Sequence, residues 1–232
     1  TIAYTVGGKS VTASAITLGD AGTTTTVTIT VTDDVGRTVT IERPVRRVLP
    51  AGPPADLLVH ALAPDLLVGL VHPWSAEQRS RLSTIDRDLA IVPRLTIAPM
   101  EGDFRAIRAL GTDLVIDYGD TSPRFRQTIE TVGRDGGFPA LLFDGRLAET
   151  PRVVRKLGEI LDRTERAERL ARRAEAVLTA LAPFAAMSDA ERVPVYLARG
   201  EDGLDAVAAG GQLDEAVHFA GDRKSTRLNS SH

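Results

Sequence analysis

The sequence predicts an α/β fold in which two blocks of parallel sheet are joined by a long helix, and three observations support it. Short apolar runs that fit buried strands alternate with amphipathic helical segments between residues 47 and 143, which indicates parallel strands with helical crossovers. Residues 150–183 then form an almost uninterrupted helical pattern. A further strand and helix follow from Val193 onward. The second block is therefore expected to be incomplete.

Composition limits the function classes. Hydrophobic residues make up 43% and charged residues 25% of the 232 residues, which is typical of a globular protein with one large or two small domains. The net charge is −3, with arginines interleaved with acids, so nucleic acid is not an expected partner. No apolar run is long enough to cross a membrane. The chain has no cysteine, which excludes disulfides, thiolate metal sites and cysteine nucleophiles.

The two ends of the sequence differ from its middle. Residues 1–26 are rich in Thr, Ala, Ser and Gly and are predicted to be an irregular leader without a signal-peptide core. A back-translation of residues 222–232 reads in frame as a common short-read sequencing adapter. We therefore expect this tail to be non-native and the gene to continue beyond Gly221. This expectation excludes Asp222 and His232 as functional candidates.

Residues 27–150 are predicted to form the first lobe. It opens with a hairpin, because Val27, Ile29 and Val31 alternate with Thr and the segment 33–36 has turn chemistry. Further strands are predicted at 47–49, 66–71, 113–117 and 140–143. Helices are predicted at 54–63 (with Leu57, Leu58 and Leu62 inward), 75–82, 102–110 and 123–133.

Residues 151–183 are predicted to be linking helices, and residues 184–221 a partial second lobe. The linking segment places apolar side chains on one stripe, in steps of three and four: Val153, Leu157, Ile160, Ala167, Ala171, Ala174, Leu178 and Leu181. Gly158 weakens the helix, and Asp162 and Glu165 have capping-box spacing. We therefore expect one helix to about Leu161 and a second from about Thr164.

The carboxyl ends of the strands are the expected ligand-binding edge, as in open α/β sheets generally. The candidate ligand-binding residues at these ends are His72, Trp74, Tyr118, Arg146 and Arg199. Trp74, the only tryptophan, can provide an aromatic wall, although packing between surfaces is an equal alternative. The two arginines can bind anionic groups with two hydrogen bonds each, although each alone also fits a solvated loop residue.

Catalytic motifs are missing from the sequence. It has neither G-x-G-x-x-G nor G-x-x-x-x-G-K-[ST], and its four histidines lack metal-ligand spacing. A triad of Ser75, His72 and Asp120 can be drawn, but no G-x-S-x-G elbow supports it. No catalytic residue, metal ligand or resident cofactor is predicted, and a hydrolytic α/β enzyme remains the alternative.

Several segments resemble one protein family. Residues 31–39 (VTDDVGRTV) followed by 46–49 (RRVL) resemble the opening of substrate-binding proteins of iron-siderophore and cobalamin ABC importers. Residues 109–116 (ALGTDLVI) are similar to the family's A-L-K-P-D-L-V-I segment. Residues 157–161 (LGEIL) and 165–168 (ERAE) resemble its entry into the linking helix, and residues 196–204 (YLARGEDGL) resemble a segment of one branch. The resemblance covers roughly residues 28–221.

This resemblance implies two α/β lobes joined by a rigid helix, with a ligand held between them. It implies a monomeric binding protein outside the cytoplasm, either periplasmic or extracellular and membrane-anchored. This protein delivers a metal chelate to an ABC permease. The arginines at the strand ends favour an anionic ferric siderophore, with cobalamin or haem as alternatives. In the family, one acid on each lobe docks on the permease. Arg105 occupies the usual glutamate position here, so Glu101 or Asp103 is expected to take this role.

Overall fold

The computed structural model describes most of the chain. The described residues are 3–6, 9–12, 27–73, 75–81, 89–96, 101–199, 205–206 and 212–224. Within these segments, no helix has both the length and the apolar character that crossing a membrane would require.

Two antiparallel pairs precede the parallel sheet. β1 (Ala3–Val6) pairs with β2 (Lys9–Thr12), in a stretch for which the sequence predicts no regular structure. β3 (Val27–Thr32) pairs with β4 (Thr38–Arg43). This second pair is the predicted hairpin, with a return strand that runs to Arg43 instead of Ile41.

A parallel sheet forms the centre of the first lobe. Its strands are β5 (Val48–Pro50), β6 (Gly69–Leu70), β7 (Ala90–Ile91), β8 (Leu114–Gly119) and β9 (Ala140–Asp144). Strands β5, β8 and β9 are hydrogen-bonded in that order, and β6 pairs with β7, all in parallel. A parallel bridge between Val48 and Leu67 brings β6 beside β5. The predicted strand 66–71 is shortened because Pro64–Leu66 form a 3₁₀ turn.

Helices alternate with these strands as predicted. The helices are α1 (Pro53–Leu62), α2 (Ala76–Ser80), α3 (Glu101–Ala109), α4 (Pro123–Gly136), α5 (Thr150–Ile160), α6 (Thr164–Ala185) and α7 (Gln212–Phe219). A second 3₁₀ turn, Leu147–Glu149, leads into α5. The four predicted helices of the first lobe are all present, with ends that differ from the prediction by at most three residues.

The sheet buries both of its faces. Along β8, Ile116 belongs to one apolar cluster with α1 and α5, whereas Val115 belongs to a second cluster with α3 and α4. Along β9, Phe143 and Leu142 divide in the same way. Because side chains alternate along a strand, a sheet covered on both sides needs apolar residues at every position. This explains the continuous apolar runs in the sequence.

The turn of the hairpin covers the edge strand β9. The backbone N–H of Leu142 donates to Asp33 Oδ2 (3.2 Å), and the N–H of Asp144 donates to Asp34 Oδ2 (2.9 Å). The N–H of Asp34 in turn donates to the carbonyl of Leu142 (3.0 Å). Backbone groups that an edge strand would otherwise leave unpaired are thereby satisfied.

The linking segment is two helices, which confirms the predicted break. Gly158 lies so close to α6 that a Cβ there would be 2.2 Å from Ala167 Cβ. Asp162 has φ of 56°, in the left-handed region. The expected capping box does not form, because Arg163 is the N-cap of α6 and no side chain caps that end. The Asp162 side chain instead pairs with Arg43 of the hairpin.

Burial along α6 decreases away from the first lobe. Ala167 and Ala171 are fully buried, whereas Val177 and Phe184 are about half exposed (52% and 49%). Arg155 joins the two linking helices, since its guanidinium binds Glu168 (2.7 Å) and Glu175 (2.5 Å). The first part of α6 is thus fastened to the first lobe, whereas its far end exposes apolar surface.

A small second unit follows α6. β10 (Val193–Val195) pairs in parallel with β13 (Asp222–Lys224), and β11 (Ala198–Arg199) pairs with β12 (Asp205–Ala206). β13 lies in the tail predicted to be non-native. Its pairing uses backbone groups, which every sequence supplies, so the pairing does not depend on the origin of its side chains.

One buried cation holds this unit together. The guanidinium of Arg192, a residue only 4% exposed, donates to the backbone carbonyls of Phe184, Ala185, Met187, His218 and Asp222. Two of these carbonyls belong to the last turn of α6, where a positive charge is favourable. Arg192 therefore connects the end of α6 to α7 and β13.

Candidate functional site at the carboxyl ends of the strands

The parallel strands bring their carboxyl ends to one edge of the sheet. β5 leads there into Gly52, the N-cap of α1, and β8 leads into Ser122, the N-cap of α4. β9 leads through the 3₁₀ turn into α5. Three helices thus begin at this edge, and their N-terminal ends carry partial positive charge. His72, Tyr118 and Arg146 all lie at this edge, as the sequence predicts.

Arg146 projects from the edge but has a partner. Its side chain is 61% exposed, and its Nε donates to Asp144 Oδ2 at 2.8 Å. This hydrogen bond, together with the charge of Asp144, raises the pKa of Arg146 above its usual value. The guanidinium is therefore permanently charged and oriented by Asp144 while it remains accessible to a ligand.

Tyr118 is buried in the sheet instead of lining an open surface. It is 8% exposed, and its hydroxyl lies 2.8 Å from Thr150 Oγ1 at the start of α5. Burial raises the pKa of the phenol. In this structure Tyr118 joins the end of β8 to the start of the linking helices.

The remaining predicted ligand residues are described only in part. His72 is exposed and follows β6. Trp74 lies outside the described residues. Arg199 ends β11, but its side chain also lies outside the described part, and so does that of Glu101 at the start of α3. Asp103 lies in the first turn of α3 and is half-buried.

Sequence analysis does not identify two buried carboxyl groups at this edge. Asp117, 5% exposed, lies on β8 and accepts a hydrogen bond from the N–H of Tyr118 (3.0 Å). Burial raises its pKa to about 6, against the opposing effects of that N–H and of the charge of Arg94. The carboxyl of Asp117 also lies close to the backbone of Gly52, since a Cβ added to Gly52 would be 3.5 Å from Asp117 Oδ1. Its position directly before Tyr118, at a strand end, is the one sequence signal that could have identified it.

The second buried carboxyl is Asp56 on α1. It is 1% exposed, whereas its neighbour Leu57 is 64% exposed. The sequence prediction that Leu57 points inward is therefore wrong. Asp56 takes the inward position because its Oδ1 accepts the backbone N–H of Val71 at 3.1 Å. A helical hydrophobic pattern cannot reveal such a residue, since it assigns polar side chains to the outside.

A cavity of about 350 Å³ lies between this edge and the second unit. The lining residues are Arg146, Asp189, Arg192, Asp214, Glu215, His218, Asp222 and Arg223. Glu215 of α7 links the second unit to the 3₁₀ turn after β9 beside this cavity. Its carboxylate accepts hydrogen bonds from the backbone N–H groups of Leu147 (2.6 Å) and Ala148 (3.3 Å). Asp222 and Arg223 belong to the tail predicted to be non-native, so no function is assigned to them.

The chain is similar to solved structures of solute-binding proteins. No family model and no curated protein matches it. An ABC transporter solute binding protein from Sulfurospirillum deleyianum is similar, with a TM-score of 0.73 and 24% identity, over 84% of this chain and 61% of that one. The chain has the α/β fold of periplasmic solute-binding proteins. The predicted fold class is confirmed.

Two further solved structures have the same fold at lower similarity. The molybdate-bound periplasmic binding protein MolA from Haemophilus influenzae has a TM-score of 0.62 and 18% identity, over 84% of this chain and 65% of that one. The heme binding protein HmuT has a TM-score of 0.53 and 19% identity, over 92% of this chain and 66% of that one. The chain thus spans about two thirds or less of the length of each of these three proteins.

Two of the three residues of the alternative triad have other roles. Ser75 and Gln78 cap α2 reciprocally, since the N–H of Gln78 donates to Ser75 Oγ (3.2 Å) and the N–H of Ser75 donates to Gln78 Oε1 (2.8 Å). Asp120 accepts the N–H of Ser122 (2.7 Å) at the start of α4. Within the described segments, no three His, Asp or Glu residues come together as metal ligands.

Proposed function

We propose that this chain is part of an extracytoplasmic substrate-binding protein of an ABC importer, which captures a metal chelate and delivers it to a permease as a monomer. The observation that carries the proposal is the similarity to a solute-binding protein of an ABC transporter over 84% of this chain. In this fold class the ligand binds beyond the carboxyl ends of the strands, which is the edge that presents His72 and Arg146.

An anionic ferric siderophore is the proposed ligand. Three helix N-termini and the charged guanidinium of Arg146 meet at the same edge, and both features favour anions. Trp74 and Arg199 are proposed to complete the site, with Trp74 against the face of the chelate and Arg199 from the second unit. Tyr118, which is buried, is proposed to support this site through the hydrogen bond between its hydroxyl and that of Thr150.

Haem is the second candidate ligand. The similarity to a heme binding protein extends over 92% of this chain, and an aromatic side chain at position 74 can stack on a porphyrin as well as on a chelate. Haem carries carboxylates, which the same arginines can bind with two hydrogen bonds each.

Fluorescence of Trp74, the only tryptophan, tests the proposal. We expect the anionic chelates ferric enterobactin and ferric aerobactin to quench its emission with saturation at a stoichiometric concentration, whereas the iron-free compounds do not. Haemin in place of the siderophores tests the second candidate. Quenching by neither class, together with no heat of binding in calorimetry, contradicts the proposed function.

A further inference from the structure

The strand-end loop that carries two of the proposed ligand residues is held by a single buried carboxyl. Asp56 Oδ1 accepts the backbone N–H of Val71 at 3.1 Å, and the N–H of His72 is a second donor to the same carboxyl. Both N–H groups belong to the segment that leaves β6 and continues to Trp74. α1 and this segment are therefore connected through Asp56.

The other oxygen of this carboxyl is in an unusual position. Among the described residues, Asp56 Oδ2 is a buried side-chain oxygen with no hydrogen-bond partner, and the whole residue is 1% exposed. An ionised carboxylate without donors on one oxygen is costly in such a place, whereas a carboxylic acid with its proton on that oxygen costs much less. The geometry thus favours proton uptake at Oδ2 while Oδ1 keeps the N–H of Val71.

We propose that Asp56 is a proton-binding positioning residue of the loop after β6, which it holds firmly when protonated and loosely when ionised. The reason is that the closed, buried position costs least when Oδ2 carries a proton, whereas the ionised carboxylate is stabilised when movement of the loop admits water. Any effect on ligand affinity rests on the proposed function, whereas the response of the loop to pH does not.

The surroundings support titration in the physiological range. Burial raises the pKa of Asp56 to about 6, and the N–H groups of Val71 and His72 and the charge of His72 act in the opposite direction. The titratable or charged groups on the elements packed against α1 include His60 of α1 itself, Asp65 of the 3₁₀ turn, Asp117 and Tyr118 on β8, and Arg166 of α6, which bonds to the carbonyl of Ala61 at the far end of α1. His72 follows β6. Of the described groups, His72 is the one whose charge acts on Asp56.

The test uses Trp74, two residues beyond His72, as the reporter. Acrylamide quenching of its emission is measured without ligand between about pH 5 and about pH 7.5, the range in which such groups titrate. We expect quenching by acrylamide to increase as the pH rises, with a midpoint near 6. In Asp56→Asn this transition is lost. A wild-type profile without a transition, or an Asp56→Asn profile that keeps it, overturns the proposal.

Two variants separate Asp56 from its neighbours. Asp117→Asn removes the second buried carboxyl of the same edge, which binds the N–H of Tyr118 and not the loop, and it should keep the transition. His72→Gln should also keep it, with the midpoint at higher pH because a charge that favours the ionised form is gone. Loss of the transition in either variant assigns the proton to another group and overturns the proposal.

A second measurement covers the case in which Asp56→Asn does not fold. Hydrogen exchange of the Val71 and His72 amides in the wild-type chain, corrected for intrinsic rates, should show protection that falls as the pH rises through about 6. Constant protection overturns the proposal. Siderophore or haemin titrations at both ends of the range then test the link to binding, and their failure alone contradicts the proposed function but not the proton site.

Discussion

Asp34 and Arg152 form a two-point ion pair between the hairpin turn and the first linking helix. The guanidinium Nη1 and Nη2 lie 2.9 and 2.7 Å from the two carboxylate oxygens. Burial pushes the pKa of Asp34 upward, but the hydrogen bonds from Arg152 and from the N–H of Asp144 outweigh it, and the pKa lies below its usual value. One carboxylate thus connects the turn, the edge strand β9 and α5.

Loss of this carboxylate should destabilise the first lobe. Asp34→Ala leaves the N–H of Asp144 without its acceptor, so we expect the free energy of unfolding to fall by about 1–3 kcal/mol. Arg152→Ala should lower the free energy of unfolding by less, because Asp34 still accepts the N–H of Asp144 and still lies 3.7 Å from the ammonium group of Lys156. A double-mutant cycle by urea denaturation should give a coupling energy of at least ~0.5 kcal/mol.

An exposed pair is the matched control. Arg126 and Glu130 lie 3.0 Å apart one turn along α4, and both side chains are about half exposed. Such pairs contribute only about 0.2–0.5 kcal/mol. Equal coupling energies for the two pairs would contradict the role assigned to Asp34.

Asp117 should make the fold less stable at neutral pH than in mild acid. Its pKa is about 6 in the folded chain and 3.8 in the reference state, so between these values the folded state binds more protons. Stability then falls as the pH rises from about 4 to about 6 and stays low above that. Asp117→Asn should remove this loss and raise the melting temperature at pH 7 more than at pH 4. An equal change at both pH values would contradict the prediction.

The fold was predictable because its signals are local. A continuous apolar run such as that of β8 indicates by itself a strand that is buried on both faces. Gly158 likewise indicates the break between the linking helices without reference to any other part of the chain. Other features depend on distant partners. Asp56 is buried because the N–H of Val71, fifteen residues away, lies at the right distance, and the hydroxyl of Tyr118 bonds to Thr150, 32 residues away. No periodicity encodes either contact.

The same limit explains the helix cap that did not form. Asp162 and Glu165 have the correct spacing, yet Asp162 turns toward Arg43 of the hairpin, which is 119 residues away in the sequence. A tertiary ion pair therefore replaces the local cap. Sequence spacing predicted where the helix breaks but not which group satisfies its end.

Arg146→Ala should weaken ligand binding without affecting the fold. A hydrogen bond between charged groups contributes about 1.5–3 kcal/mol, so we expect the Kd for a ferric siderophore to rise roughly 10- to 100-fold. Arg134→Ala is the control, because Arg134 is similarly exposed and also pairs with an adjacent acid, Asp135, but lies near the other end of α4. Fluorescence titration should give a wild-type Kd for the control, and an equal loss in both variants would argue against a site at Arg146.

Charge reversal at the start of α3 should separate docking from binding. If Glu101 and Asp103 contact the permease, Glu101→Lys with Asp103→Lys should lower chelate uptake by reconstituted transporter while the Kd of the binding protein stays unchanged. Arg105→Glu, which restores an acid at the exposed position next to them, should not lower uptake. Wild-type uptake by the double variant would exclude these acids from docking.

Gly158 should tolerate no side chain, because α5 and α6 touch there. A Cβ at this position would lie 2.2 Å from Ala167 Cβ, so Gly158→Ala must push the helices apart. We expect a loss of about 1–3 kcal/mol in the free energy of unfolding from overpacking, which exceeds the helix-propensity gain of roughly 0.5–1 kcal/mol.

Gly133 in α4 is the matched control. A Cβ there would have its nearest contact at 3.6 Å, with the carbonyl of Phe138, so Gly133→Ala should be neutral or stabilising by up to about 1 kcal/mol. Combining Gly158→Ala with Ala167→Gly moves the methyl group to the other helix and should recover part of the loss. Urea denaturation measures all four chains. If the double variant is no more stable than Gly158→Ala alone, the contact with Ala167 is not what requires glycine at position 158.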